Sequence, residues 1–200
     1  IAHIKTLGGE RKYVEPAKGT VNPRVFIDRL AKKMPANVTV VADVGQNQIW
    51  TCTEYKFRKE GRLLTSGGMG TMGYSVPAAI GAKMADNSRA TVAICGDGAF
   101  QMSFMELATA VQFGVDIKVV VMTNNRLGMV RELQTNGYHD RQTAVFLDGS
   151  PDFIKLAEAY GIPAMRVYDD DTMEKGVEML AEHKGICLVE VVVDKDMPTL

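Results

Sequence analysis

The stretch from Ala90 to Asn125 constrains the fold most. Ala90 to Cys95 is a short apolar run, Gly96-Asp97-Gly98 is a turn, and Ile117-Lys118-Val119-Val120-Val121-Met122-Thr123 is a second run that stops at Asn124-Asn125. Runs of this length, rich in β-branched residues and bounded by turn chemistry, read as buried strands. Between them Ser103-Phe104-Met105-Glu106 has the form of a capping box. It predicts a helix with Phe104, Leu107, Ala108 and Val111 as its buried stripe and Gly114 as its end. Glu106 then has a structural task and is not a candidate catalytic acid. Strand, loop, helix, strand and loop make one βαβ unit, in which the strands are parallel and both loops fall on the same sheet edge.

That edge is where open α/β sheets bind ligands. Asp97 and Asn124, one on each loop, can therefore face a common point. A carboxylate oxygen, an amide oxygen and a free main-chain carbonyl form a hard, all-oxygen set suited to Mg²⁺ holding a phosphate. The glycines flanking Asp97 let the backbone approach a phosphate closely. Either end alone is ordinary turn chemistry; the pair, spaced by one βα unit, is far more specific.

The rest of the chain repeats the alternation. Ile1 to Thr20 has no sustained period and reads as a linker or N-terminal arm, leaving 21–200 as one domain; the missing initial Met suggests a piece of a longer polypeptide. Asn22-Pro23 opens a helix with Phe26, Leu30 and Met34 on one face, stopped by Pro35. Val38 to Val41 is a strand ending in the polar turn Asp43 to Gln48, which enters a helical segment. Pro77 to Ala85 is a small-residue helix. Gly137 to Gly149 reads as a mobile loop near the mouth of the site. Ser150-Pro151 caps a helix carrying Phe153, Leu156, Ala157 and Tyr160 and closed by Gly161. A strand at Ala164 to Val167, a helix from Asp171 to Lys184 with Met173, Val177 and Leu180 inward, and a strand at Ile186 to Val193 complete the chain. The expected fold is α/β: a doubly wound, mainly parallel sheet with helices on both faces.

Composition narrows the function classes. With 23 basic and 24 acidic side chains in 200 residues there is no electrostatic case for nucleic acid or an anionic membrane, and no apolar run spans a bilayer. Cys52, Cys95 and Cys187 lack CxxC spacing and read as reduced core or near-core thiols of a cytoplasmic protein. His3 and His139 have no nucleophile or acid nearby in sequence, and His183 falls in the last turn of a helix, where a cation suits the dipole. Gly68-Met69-Gly70-Thr71-Met72-Gly73 spells G-x-G-x-x-G, but no strong apolar strand precedes it and Pro77 interrupts the helix that follows. A dinucleotide-binding reading is disfavoured on both counts.

The order GDG, then NN after one helix and one strand, resembles the thiamine diphosphate enzymes. Two further runs resemble the acetolactate synthase type among them: Ser66 to Gly73 is similar to S-G-G-x-G-x-M-G, and Thr123-Asn124-Asn125-Arg126-Leu127-Gly128-Met129-Val130 to N-N-x-x-L-G-M-V. The resemblance covers about Asn22 to the C-terminus and implies the family's thiamine diphosphate-binding fold. It implies metal ligation of Mg²⁺ by Asp97, the Asn124 side chain and the Arg126 carbonyl, with Asn125 as the alternative side-chain ligand. Cofactor contacts are implied at Gln46, Asn47, Gly70, Met72, Gly96, Asp97, Gly98, Ala99, Asn124, Gly128 and Met129, with Met72 under the bend between the two cofactor rings.

Three positions depart from the pattern. Asn47 stands where the G-Q-H loop has His, Thr123 replaces the first Asn, and Leu133 stands where many acetolactate synthases have a Trp that shapes the pocket for the second keto acid. The activity implied is decarboxylation of a 2-keto acid and transfer of its two-carbon unit, most simply two pyruvates to 2-acetolactate and carbon dioxide. Relatives of the oxalyl-CoA decarboxylase, sulfoacetaldehyde acetyltransferase or pyruvate oxidase type, and a non-catalytic nucleotide-binding α/β domain, are the alternatives. No catalytic residue is expected in this chain, because the family's activating glutamate belongs to a separate pyrimidine-binding domain, of the same or a partner subunit. The chain alone is then expected to be inactive, and the assembled enzyme a homo-oligomer.

Overall fold

The computed structural model describes residues 14–199. The larger part of the expected arm, with His3, lies outside the described residues. Helix α1 (Pro23–Lys33) starts as its sequence dictates: the Asn22 side chain accepts hydrogen bonds from the Arg24 and Val25 N–H groups, and Pro23 gives up no hydrogen bond in the first turn. Strand β1 (Thr39–Ala42) leads to α2 (Gln46–Glu54), β2 (Arg62–Thr65) and α3 (Ser75–Ala85). Next come β3 (Thr91–Gly96), α4 (Asp97–Gln101), a 3₁₀ turn at Phe104–Glu106, α5 (Leu107–Gln112) and β4 (Lys118–Thr123). The last part of the chain supplies α6 (Gly128–Gly137), α7 (Phe153–Ala159), β5 (Ala164–Val167), α8 (Asp170–Glu182) and β6 (Cys187–Val192).

The strands form one six-stranded sheet in the order β2-β1-β3-β4-β6-β5, and every neighbouring pair is parallel. Strand periodicity sorts the buried side chains between two faces. Val40, Val92, Ile94, Val120, Met122 and Val189 pack with Phe26, Ile27 and Leu30 of α1, Trp50 of α2, and Met173, Val177 and Leu180 of α8. Val41, Ala93, Cys95, Val119, Val121 and Leu188 pack with Val76 and Ile80 of α3, Phe100 of α4, Leu107 of α5 and Phe153 of α7. The sheet is therefore doubly wound. Each such fully buried aliphatic or aromatic side chain contributes about 1.5–3 kcal/mol from removal of apolar surface from water.

Several local expectations are corrected. The capping box at Ser103 does not form: Ser103 makes no side-chain cap bond, the chain passes through the 3₁₀ turn, and α5 begins only at Leu107. That phase shift turns Leu107 and Ala110 inward and leaves Ala108 and Val111 exposed. Asp152, not Ser150, caps α7, accepting from the Ile154 and Lys155 N–H groups. A strand, β2, does precede the glycine-rich run; it is a half-exposed edge strand, so it lacks the apolar signal of its buried neighbours. All three cysteines are free, but Cys52 is exposed on α2 while Cys95 and Cys187 are buried. Glu190 is charged yet buried in β6, where its carboxylate accepts from Nε of Arg166 on β5 at 2.7 Å.

Residues 138–152 form an irregular segment beside the sheet edge. It is tied down where Leu127 N–H donates to the Val145 carbonyl and Leu147 N–H to the Asn125 carbonyl, and Val145 is fully buried. His183 follows α8 as its C-cap, and its carbonyl accepts from Lys118 Nζ, a structural role. No helix among the described residues is long and apolar enough to cross a membrane.

Candidate functional site

In the strand order, β1 and β3 are neighbours whose outgoing chains leave in opposite directions: α2 packs on one face of the sheet, α4 and α5 on the other. A crevice opens between such chains at the carboxyl ends of the strands. It encloses about 220 Å³ and is lined by Gln46, Asn47, Gly70, Met72, Gly96, Asp97, Gly98, Ala99, Asn124, Arg126, Gly128 and Met129. Every site residue expected from the sequence, apart from the alternative ligand Asn125, thus faces one cleft, although they come from four separate stretches of chain. Val44, Trp50, Met122, Leu127, Val130 and Val193 complete the wall. Leu127 and Val130 belong to the L-G-M-V run, but Val44, Trp50, Met122 and Val193 carried no chemical signal in the sequence, and only the packing brings them here.

Asp43, at the end of β1, organises the first side of the cleft. It is fully buried, and its carboxylate accepts from the N–H groups of Val44 at 3.0 Å, Gly73 at 3.1 Å and Ser75 at 2.8 Å. Burial raises its pKa, and the three N–H donors oppose that rise. By gathering these amides Asp43 fastens the loop bearing Gly70 and Met72 against β1. Gly70 and Gly73 take positive φ angles of 61° and 83°, which suit glycine. No motif in the sequence singles out Asp43.

Gln46 and Asn47 begin α2, and both side-chain amides are already engaged with protein. Asn47 Nδ2 donates to the carbonyls of Asp43 at 2.9 Å and Ile94 at 3.2 Å, bracing the end of β1 to β3. Gln46 Nε2 donates to the Met197 carbonyl at 2.9 Å and Thr199 Oγ1 at 3.1 Å, while its Oε1 accepts from Asn124 Nδ2 at 3.1 Å. Gly45, the N-cap, makes no side-chain cap bond. What α2 offers the cleft is the main-chain N–H groups of Gln46 and Asn47, which have no partner within a helix and favour an anion, the Gln48 N–H already donating to the Gly45 carbonyl at 3.1 Å.

Asp97 opens α4 and is 1% exposed. One carboxylate oxygen accepts from Gly98 N–H at 2.8 Å; the other accepts from Asn124 N–H at 3.2 Å and Asn125 N–H at 2.6 Å. The ends of β3 and β4 are thereby bound together through one carboxylate. Burial outweighs these donors and raises its pKa to about 6. Asn124 Oδ1 accepts from Arg126 N–H at 3.1 Å, and the Arg126 carbonyl accepts no hydrogen bond among the described residues. Asn125 has φ 53° and is exposed outside the lining, whereas Asn124 lies within it.

Close packing fixes the remaining positions. A Cβ on Gly128 would lie 1.9 Å from Gln46 Oε1 and 3.1 Å from Asn124 Nδ2. A Cβ on Gly98 would lie 2.8 Å from Leu127 Cδ2 and 3.3 Å from Met72 Cε. The ionisable side chains of the lining are Asp97 and Arg126 alone; no Glu, His or Lys is among them. Glu106, which is not among the lining residues, accepts from Thr109 Oγ1 at 3.1 Å. Clusters of three or more His, Cys, Asp or Glu able to hold a metal are absent among the described residues. A Mg²⁺ that takes one carboxylate, one amide and one carbonyl and completes its shell from phosphate and water needs no such cluster.

Residues 43–191 match the family described as thiamine pyrophosphate enzyme, C-terminal TPP binding domain. The chain is 39% identical over 185 residues to the mitochondrial acetolactate synthase catalytic subunit of Aspergillus candidus, covering 91% of this chain and 26% of that protein. It is 38% identical over 181 residues to the acetolactate synthase large subunit of Lactococcus lactis, covering 90% of this chain and 31% of that one. Against the probable acetolactate synthase large subunit of Methanocaldococcus jannaschii it is 39% identical over 191 residues, covering 96% and 32%. The chain spans between a quarter and a third of the length of these relatives. With the family match covering most of its length, this chain belongs to the thiamine pyrophosphate enzymes and carries their C-terminal TPP-binding domain.

Proposed function

We propose that the chain is the diphosphate- and Mg²⁺-binding half of an acetolactate synthase-like enzyme that joins two pyruvates to give 2-acetolactate and carbon dioxide. The observation that carries this reading is the arrangement around Asp97. A single desolvated carboxylate is held between two strand ends, beside the Asn124 side chain and the free Arg126 carbonyl. A buried carboxylate with a raised pKa and no cationic side-chain partner is the environment in which a divalent cation is welcome.

In this reading Asp97, the Asn124 Oδ1 and the Arg126 carbonyl hold Mg²⁺. The first-turn N–H groups of α2 and the backbone around Gly96 to Ala99 receive the diphosphate. Thiamine diphosphate, when bound, supplies the carbanion chemistry that attacks a 2-keto acid. The chain's own residues anchor, orient and keep water out: Met72 and Leu127 present adaptable apolar surface to the ring end, and Trp50, Met122 and Val193 close the floor. Because the lining has no Glu, His or Lys, the proton-transfer group comes from a pyrimidine-binding domain of the same or a partner subunit. The surface for that partner includes the exposed Met69, Val130 and Leu133, near the mouth. The free cysteines fit a cytoplasmic setting.

Calorimetry of thiamine diphosphate binding in the presence of Mg²⁺ tests the reading. Asp97→Ala should abolish Mg²⁺-dependent binding and leave circular dichroism unchanged. Unaltered binding in that variant would overturn the assignment.

A further inference from the structure

We propose that Glu132 and Thr199 are positioning residues for the cation site, acting through Gln46 on the orientation of the Asn124 amide. The inference rests on the reading of Asn124 as a cation ligand. An asparagine amide can be turned by half a revolution with almost no change in shape, yet only its oxygen can ligate a cation. Something in the surroundings must therefore fix which end faces the site.

A directed chain of hydrogen bonds does this. The Glu132 carboxylate is acceptor-only, and it takes Thr199 N–H at 2.7 Å together with the Thr199 hydroxyl proton. With its one proton committed, Thr199 Oγ1 can only accept, so it requires the NH₂ end of Gln46, which lies 3.1 Å away. The Met197 carbonyl, 2.9 Å from Gln46 Nε2, requires the same end. Gln46 Oε1 is then left to face Asn124, which must present Nδ2 at 3.1 Å. Asn124 Oδ1 is thereby turned to the other side, where it accepts from Arg126 N–H at 3.1 Å and borders the cleft.

The middle of this hydrogen-bond chain is dry, with Gln46 at 4% and Thr199 at 6% exposure, so water does not compete there, while Glu132 and Asn124 at its two ends are partly exposed. It is also anchored from outside. Arg24, ion-paired to Glu54 at 2.6 Å, donates to the Thr199 carbonyl at 2.5 Å, and Trp50 Nε1 donates to the Pro198 carbonyl at 3.1 Å. Neither Glu132 nor Thr199 lines the cleft. Their influence reaches the cation only by way of Gln46, whose side chain has no donor left for a diphosphate.

The test measures the MgCl₂ concentration for half-saturation of thiamine diphosphate binding, by calorimetry, in the complete protein that carries this chain. Thr199→Val keeps the shape but loses the hydroxyl, and Glu132→Gln removes the acceptor-only end. Each should raise the Mg²⁺ half-saturation about tenfold, as loss of a group that orients a metal ligand does. Thr199→Ser, which keeps the hydroxyl, should behave as the parent. The Thr199→Ser apo-protein should melt as the parent does, and the other two only a few degrees lower. An unchanged Mg²⁺ requirement in Thr199→Val and Glu132→Gln would overturn the proposal, as would an equal shift in Thr199→Ser or a shift that merely tracks lost stability. If Thr199→Val fails to fold, Glu132→Gln decides alone. Failure of the underlying reading has a different signature: the parent itself would show no Mg²⁺-dependent binding, or Asp97→Ala would bind as the parent does.

Discussion

Asp97 should make the apo domain less stable at neutral pH than at mildly acidic pH, and Asp97→Asn should remove that dependence. Its pKa rises from 3.8 to about 6 on folding because burial costs the ionised form more than its N–H donors return. The folded state therefore binds protons more tightly than the unfolded state. Stability from this group is fully present below pH 3.8, falls as pH rises, and is gone above pH 6. A shift of about two units corresponds to roughly 3 kcal/mol in total, of which a little over 1 kcal/mol is regained on going from pH 7.5 to pH 5. Asparagine keeps an oxygen for the 2.6 Å bond from Asn125 N–H but turns an NH₂ toward another donor, a cost of about 1–2 kcal/mol that does not vary with pH. Urea unfolding of both proteins at pH 7.5 and pH 5 isolates the effect, because all other titrating groups cancel in the difference. The parent should gain a little over 1 kcal/mol on the variant at the lower pH. A difference that is the same at both pH values, or that moves the other way, would refute the account of Asp97 as a desolvated carboxylate. Saturating thiamine diphosphate with Mg²⁺ at pH 7.5 should stabilise the parent by about 2.7 kcal/mol at a hundred times the dissociation constant, and Asp97→Asn by almost nothing.

Gly128→Ala should weaken Mg²⁺-dependent cofactor binding about tenfold or more, measured by calorimetry, because the added methyl group must displace the Gln46 oxygen that holds Asn124. Met72→Ala in the complete enzyme should reduce turnover far more than cofactor affinity, since the diphosphate anchors lie elsewhere; equal losses in both would make Met72 simple packing. Arg166→Met should cost about 1–3 kcal/mol in urea unfolding at pH 7, because it leaves the Glu190 carboxylate buried without its partner, with the cost moderated by the 41% exposure of Arg166. The purified 200-residue chain should release no carbon dioxide from pyruvate at any Mg²⁺ or cofactor concentration, and a supplied pyrimidine-binding domain should restore release. Turnover by the chain alone would mean that the proton-transfer group lies within it.

The sequence by itself determined the layered α/β architecture and that the loops bearing Asp97 and Asn124 share one edge, because both depend on local signals. Strand runs such as Ile117 to Thr123 are continuous and apolar when a parallel strand is buried on both faces, and loops after successive parallel strands must emerge on one edge. Asp97 and Asn124 were legible for that reason, each fixed by its distance from a strand end, whereas Gly128 was implied only by the resemblance to the thiamine diphosphate enzymes. The tertiary structure decided what those groups do with their hydrogen bonds. Gln46 and Asn47 look in sequence like free amides at a loop, yet each is occupied by partners remote along the chain, the carbonyls of Met197 and Ile94. Ser103 has the letters of a capping box, but the buried stripe of α5 packs one residue out of that phase, so the box does not close. The half-exposed β2 lacked an apolar signal because an edge strand need bury less of its surface. Asp43 and Glu190 carried no motif at all, because a buried carboxylate is tolerable only where long-range folding delivers its donors, and spacing along the chain does not encode where those donors come from.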